Sequence, residues 1–316
     1  MADVVIPEFM DEPTAQSLIA AFDVHWDRTL WSRRAELLER VRNARALIVR
    51  NDTLVNTELL DAAPRLQVVA RMGVGLDTID VEACAAHGVE VVPSIGANAV
   101  SVAEYVIATA MILLRGPAYY ATSDVAGGIW DRPRFAGGRE IAGRTMGIVG
   151  FGSIGQTVGD KARAMGMDVI AYDAVMPDTA AAWSKARRVD LETLLAQSDV
   201  ISLHCPKLPQ TIDLIDADAF AQMKSGAVLI NSARGGIVNE AACAAALKSG
   251  QISGAALDTL DVEPIDATAQ AIFRDVPNLI LSPHIAGVTQ EANRRIAEVA
   301  ADTVRRVLGA AQPIPA

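Results

Sequence analysis

Apolar residues occur along this chain in short runs bounded by Gly, Pro, Asn or Asp, the pattern of buried parallel strands. Val4–Pro7, Ala46–Arg50, Gln67–Arg71 and Val89–Val92 read as strands, and Glu36–Arg42 is helical in composition. From Val100 the pattern changes. Ser101–Leu114 carries Ala and Ile at helical spacing and predicts a buried helix between two domains. A polar, Gly- and aromatic-containing segment, Ala126–Gly138, leads into a second strand–helix series. Its strands are expected at Met146–Gly150, Val169–Tyr172, Val200–Leu203, Val228–Asn231, Gly254–Leu257 and Leu279–Leu281. Glu291–Leu308 reads as one amphipathic helix returning to the first domain. The whole predicts an α/β protein of two Rossmann-like doubly wound parallel-sheet domains. Residues 1–98 and 288–316 form one, and residues 99–287 form the other, inserted into the first.

Composition narrows the class without changing this picture. The chain has 316 residues, 51% hydrophobic and 21% charged, with a formal net charge of −10. That charge argues against a nucleic-acid surface, and an anionic substrate would need a local cluster of arginines. No apolar run is long enough for a membrane helix. Met1–Phe9 reads as a first strand, not a secretion signal. The three cysteines, Cys84, Cys205 and Cys243, have no metal-type spacing, and a reducing cytoplasm is expected.

Gly150-Phe-Gly152-Ser153-Ile154-Gly155 follows an apolar strand and opens a helix. Gly150 allows the tight turn, Gly152 lets the backbone approach a pyrophosphate, and Gly155 lets the helix pack on the sheet. The helix N-terminus then offers N–H groups to the phosphates. The next strand ends at Asp173, where a carboxylate can accept both adenosine ribose hydroxyls and repel a 2′-phosphate. No Lys or Arg stands in Ala174–Asp178, so NAD is the expected cofactor.

Three more segments fall at expected strand ends: Asn231–Gly236, Ala256–Pro264 and Ser282–Gly287. Hydride transfer from an alcohol needs a base, a cation for the carboxylate and a rigid platform. His284 is the natural base and Glu263 can fix its tautomer. Arg234 can hold a carboxylate with its planar fork. The glycines after Arg234 are expected to leave room for the nicotinamide ring.

With these residues in place, the chain resembles the D-isomer-specific 2-hydroxyacid dehydrogenases over nearly its whole length, most of all their phosphoglycerate dehydrogenase-like branch. The resemblance rests on Arg71–Asp77, Gly96–Glu104, Gly147–Gly155, Ser202–Pro206, Asn231–Gly236, Asp258–Pro264 and Pro283–Gly287. It implies catalysis by Arg234, Glu263 and His284. It implies carboxylate binding by backbone N–H groups at Val74 and Gly75. It also implies cofactor contacts at Ser153, Ile154, Cys205, Pro206, Ser232, Ala233, Asp258 and Gly287, and a homodimer built on Ser101–Leu114 and the segment after it. Thr259-Leu260 departs from the usual Val-Phe, but the spacing to Glu263 is kept.

Arg50 and Arg71 end strands of the first domain, where similar arginines of phosphoglycerate dehydrogenases face a second anionic group. Arg132 and Arg134 also lie where that family places a basic residue. A substrate with a charged tail is expected, either 3-phosphoglycerate or a sulfonate such as sulfolactate. The opening residues resemble the sulfolactate-oxidising branch. Hydroxypyruvate or glyoxylate reduction, and an NAD-sensing corepressor role, are the alternatives. The chain stops at Ala316, so serine feedback through a C-terminal sensing domain is not expected.

Overall fold

The computed structural model describes residues 2–116, 119 and 121–309. The chain divides into two compact units, Met1–Asn98 with Val288–Ala316, and Ala99–Gly287.

The first unit holds five parallel strands: β1 (Val4–Ile6), β2 (Val24–Trp26), β3 (Ala46–Val49), β4 (Val68–Arg71) and β5 (Glu90–Pro93). Their order is β2-β1-β3-β4-β5, so the direction of winding reverses between β1 and β3. Alternate strand residues go to opposite faces. Val4, Ile6, Ile48 and Val68 pack under helices Glu12–Ile19 and Gln290–Leu308. Val5, Leu47, Val49 and Val69 pack under Arg34–Arg40, Thr57–Ala62 and Val81–Ala86. The C-terminal helix buries Ala292, Ile296, Ala297, Ala300, Ala301 and Val304 in this unit's core.

The second unit holds seven parallel strands: β6 (Thr145–Val149), β7 (Asp168–Tyr172), β8 (Arg187–Arg188), β9 (Val200–Leu203), β10 (Ala227–Asn231), β11 (Ile252–Leu257) and β12 (Leu279–Leu281). The order is β12-β11-β10-β9-β6-β7-β8. This is the winding of dinucleotide folds, with the reversal between β6 and β9. Helices Ala99–Arg115 and Ser153–Ala164 cover one face over Met146, Ile148, Val200 and Ile230. The other face buries Val149, Ile201, Leu203 and Leu229 under shorter helices. Both faces of both sheets are covered, which is why the strands read as continuous apolar runs.

The strand β8, absent from the sequence expectation, adds a seventh member. Its two arginines carry no hydrophobic signal; it pairs at the edge beside Ile170 and Ala171. Among the described residues, no helix is long and apolar enough to cross a membrane.

Candidate active site

In the second unit, the winding reversal places the Gly150 turn beside the end of β9. Gly150 has φ +88°, and a Cβ there would lie 2.7 Å from Cys205 N and from the His204 carbonyl. A Cβ on Gly155 would lie 2.2 Å from Gly150 O, so the helix meets the turn without space for a side chain. Gly152 faces open space, with nothing within 4 Å of an added Cβ. It caps helix Ser153–Ala164, whose first N–H groups have no intrahelical acceptor and suit a phosphate.

Asp173 does more than the sequence reading assigned. Its Oδ2 accepts the Phe151 N–H at 2.8 Å, and its Oδ1 accepts Val175 and Met176 N–H at 3.0 and 2.9 Å. The carboxylate therefore clasps the glycine turn to the end of β7. Of roughly four lone-pair sites on a carboxylate, three are taken.

His204 is buried and desolvation holds its imidazole down to about 3, so it stays neutral, paired with Ser202 Oγ at 2.8 Å. Burial pushes the Cys205 thiol up to about 11. The surroundings of the turn thus add no anion from Cys205, which keeps them compatible with a pyrophosphate.

At the end of β10, the buried Asn231 closes the turn that carries Arg234. Its amide donates to Arg234 O at 2.9 Å and its Oδ1 accepts Ala233 N–H at 3.0 Å. Arg234 Nη1 donates to Ala233 O at 2.6 Å. Ser232 Oγ is buried without a partner among the described residues. Such an orphaned hydroxyl at a strand end fits a bound dinucleotide.

A Cβ on Gly235 would fall 1.8 Å from Leu260 O, and one on Gly236 would meet Lys207 Nζ and Asp261 Oδ1. They make room for the loop that carries Glu263. That loop is pinned again by Glu240, whose Oε1 accepts the Asp261 N–H at 2.7 Å, and by Lys207 paired with Asp261. Sequence reasoning passed over Glu240. Its signal was its place just after the Asn239 cap of helix Glu240–Ser249.

Glu263 and His284 meet directly. His284 Nδ1 lies 2.9 Å from Glu263 Oε2, and Glu263 Oε1 accepts the Leu260 N–H at 2.8 Å. Both side chains are partly exposed. The pairing turns Nε2 outward as the nitrogen able to exchange a proton.

His284 sits at φ +56°, a conformation uncommon for a residue with a side chain. The buried Asp258 holds it there. Its carboxylate accepts Ser282 Oγ–H at 2.6 Å and the N–H groups of Ile285 and Ala286 at 2.8 Å each. Its carbonyl accepts the His284 N–H at 2.8 Å. Asp258, expected as a cofactor contact, is foremost the clasp of the histidine turn.

In the first unit, Glu8 follows β1 and is 2% exposed. Its carboxylate accepts the N–H groups of Arg50, Asn51, Asp52 and Thr53 at 2.8, 2.8, 3.1 and 3.1 Å. This backbone nest after β3 is an anion site filled by the protein's own side chain. It fixes Arg50, whose guanidinium stacks 5.5 Å from the Phe9 ring and donates to Asn293 Oδ1 at 3.0 Å. Burial lowers the Arg50 pKa while Glu8 and Asp52 oppose that shift.

Arg71 is buried, and it donates to Gly75 O at 2.7 Å, to Met72 O, and to Asn51 Oδ1 at 3.1 Å. Gly73 has φ +147°, where a side chain is strained, and a Cβ there would displace the Arg71 guanidinium. Arg71 therefore shapes the 72–75 loop from inside. The N–H groups of Val74 and Gly75 at the top of that loop donate to no described residue, as a carboxylate cradle requires. Arg134 pairs with Asp124 at 3.4 Å.

Residues 107–286 match the family described as D-isomer specific 2-hydroxyacid dehydrogenase, NAD binding domain. The chain is 47% identical to the (S)-sulfolactate dehydrogenase of Chromohalobacter salexigens over 310 residues, covering 98% of this chain and 99% of that one. It is 40% identical over 311 residues to the D-3-phosphoglycerate dehydrogenase of Mycobacterium leprae, of which it spans only 56%. The structure of D-lactate dehydrogenase from Aquifex aeolicus, complexed with NAD and lactic acid, aligns with a TM-score of 0.83 at 27% identity. That alignment covers 97% of this chain and 95% of the other.

Proposed function

Because this chain belongs to the D-isomer-specific 2-hydroxyacid dehydrogenase family, we propose that the acid it turns over carries a second anionic group, with (S)-sulfolactate first and 3-phosphoglycerate second. The family reaction is established: hydride passes between C2 of a small 2-hydroxy acid and NAD. The observation that carries the substrate proposal is Arg50, a partly desolvated guanidinium held rigidly on Phe9 with one neutral acceptor. An anion pairs such a group better than water or an amide does. The (S)-sulfolactate dehydrogenase of Chromohalobacter salexigens is matched over 99% of its length. Sulfur outranks the carboxyl carbon in naming, so (S)-sulfolactate has the spatial arrangement of a D-glycerate.

Bound NAD supplies the hydride acceptor. The side chains do the rest. His284 Nε2 takes the hydroxyl proton, and Glu263 holds Nδ1 and stabilises the imidazolium so formed. Arg234 grips the carboxylate with its fork and polarises the developing carbonyl. Gly152, Ser153 and Ile154 present the phosphate site, with Ser232, Ala233, Pro206 and Gly287 on the neighbouring strand ends.

A panel of (S)-sulfolactate, 3-phosphoglycerate, D-glycerate and D-lactate with NAD tests the proposal. Turnover is expected to be best with sulfolactate. Arg50→Ala is expected to lower kcat/KM for the two tailed acids by about 100-fold while changing D-lactate little. Equal losses on all four acids would remove the anionic-tail reading. Turnover on none, with NAD still bound, would favour a sensing protein.

We also propose a homodimer formed through the segment after helix Ala99–Arg115. Trp130 is 78% exposed there, with Ile129 and Val125 beside it, more apolar surface than a free face usually carries. Sedimentation of the wild type is expected to give twice the chain mass and of Trp130→Glu the chain mass; a monomeric wild type would end this reading.

A further inference from the structure

We propose that Tyr105, acting through Ser282 and Asp258, is a positioning residue for His284. The inference rests on the reading of His284 as the base. Tyr105 lies on helix Ala99–Arg115, just past the Ser101–Glu104 motif, and its hydroxyl is 2.7 Å from Ser282 Oγ.

Proton counting fixes the direction of the bonds. Ser282 has one hydroxyl proton, and it goes to Asp258 Oδ1 at 2.6 Å. An ionised carboxylate only accepts. The Tyr105 O–H therefore donates to Ser282, and the chain runs Tyr105 to Ser282 to Asp258. Burial and the Asp258 charge both raise the phenol pKa, so Tyr105 keeps its proton at working pH.

This chain ends where the catalytic turn is tied. Ser282, Ile285 and Ala286 all donate to Asp258. Pro283, inside the turn, has no N–H to give. His284 itself donates its N–H to the Asp258 and Ser282 carbonyls at 2.8 and 3.0 Å. The backbone of the histidine turn is thus set by Asp258, and Ser282 is the only side chain among the three groups that donate to its carboxylate. Without the Tyr105 proton, Ser282 Oγ loses its donor and its orientation toward Asp258 is no longer enforced. A displacement well under 1 Å at a reacting nitrogen is costly.

The experiment uses the full chain with NAD and whichever acid of the panel it turns over best. Tyr105→Phe is expected to lower kcat by about tenfold, with KM and the NAD Kd within about twofold of wild type. Ser282→Ala is expected to lose at least as much, Ser282→Thr to keep the activity that Ser282→Ala loses, and the Tyr105→Phe/Ser282→Ala double variant to be no worse than Ser282→Ala alone. In a His284→Ala background, Tyr105→Phe is expected to leave the residual turnover unchanged. Wild-type kcat in Tyr105→Phe, or a tenfold loss that persists without His284, would overturn the inference. If His284→Ala itself turns over normally, the base assignment fails and this inference falls with it.

Discussion

His284→Ala is expected to lower kcat by about 1,000-fold, roughly 4 kcal/mol of transition-state stabilisation. NAD affinity should be unchanged. The structure gives the reason for both halves. Nδ1 is held by Glu263 at 2.9 Å, so the imidazole reaches the reaction with its orientation and tautomer already set. The glycine turn, Asp173 and Ser232 do not touch it. Alanine also relaxes nothing in the turn, because the ties to Asp258 come from Ser282, Ile285 and Ala286 and from the His284 backbone N–H. Stopped-flow turnover beside fluorescence titration with NAD separates the two quantities. A tenfold or smaller fall in kcat would mean that another group moves the proton.

Glu8→Ala is expected to destabilise the first unit by about 4 kcal/mol, since four backbone N–H groups lose a charged acceptor in a nearly dry site. Gln should do almost as badly, because its amide would aim donors at donors. Urea unfolding of both variants measures this. A loss under 1 kcal/mol in each would show that water replaces the carboxylate at no cost. Where Glu8→Gln still folds at low temperature, tailed acids should suffer more than D-lactate, since the same N–H groups hold Arg50.

The sequence made the regular part of this architecture legible because both sheets are buried on both faces. A strand such as Ala46–Val49 is a bare apolar run with clear ends. The elements that escaped notice lack that signal. Val24-His-Trp26 mixes polar and aromatic residues over three positions, and Arg187–Arg188 is wholly polar. Helices Glu12–Ile19, Thr57–Ala62 and Val81–Ala86 are short, and only their caps Asp11, Asn56 and Asp80 mark them.

In the site, Arg234, Glu263 and His284 could be picked out because their chemistry needs those residue types. What each neighbour does could not. Asp258, Asp173, Arg71 and Glu8 are charged residues whose side chains are turned to backbone N–H or C=O groups, and no spacing rule reveals that. At Gly150 and Gly155 a side chain is excluded by neighbouring backbone, and at Gly235 the excluding body is Leu260.

That contact limits how the enzyme can change over time. With no space for even a methyl group between Gly235 and Leu260, the loops bearing Arg234 and Glu263 are interlocked, and a length change in one strands the other. Lineages or libraries that seek a new hydroxy acid are thereby steered away from the reaction machinery. The tolerant ground is Leu54, which is 53% exposed just past the Glu8 nest, and whose side chain can vary while the N–H groups of residues 50–53 that hold Glu8 stay the same.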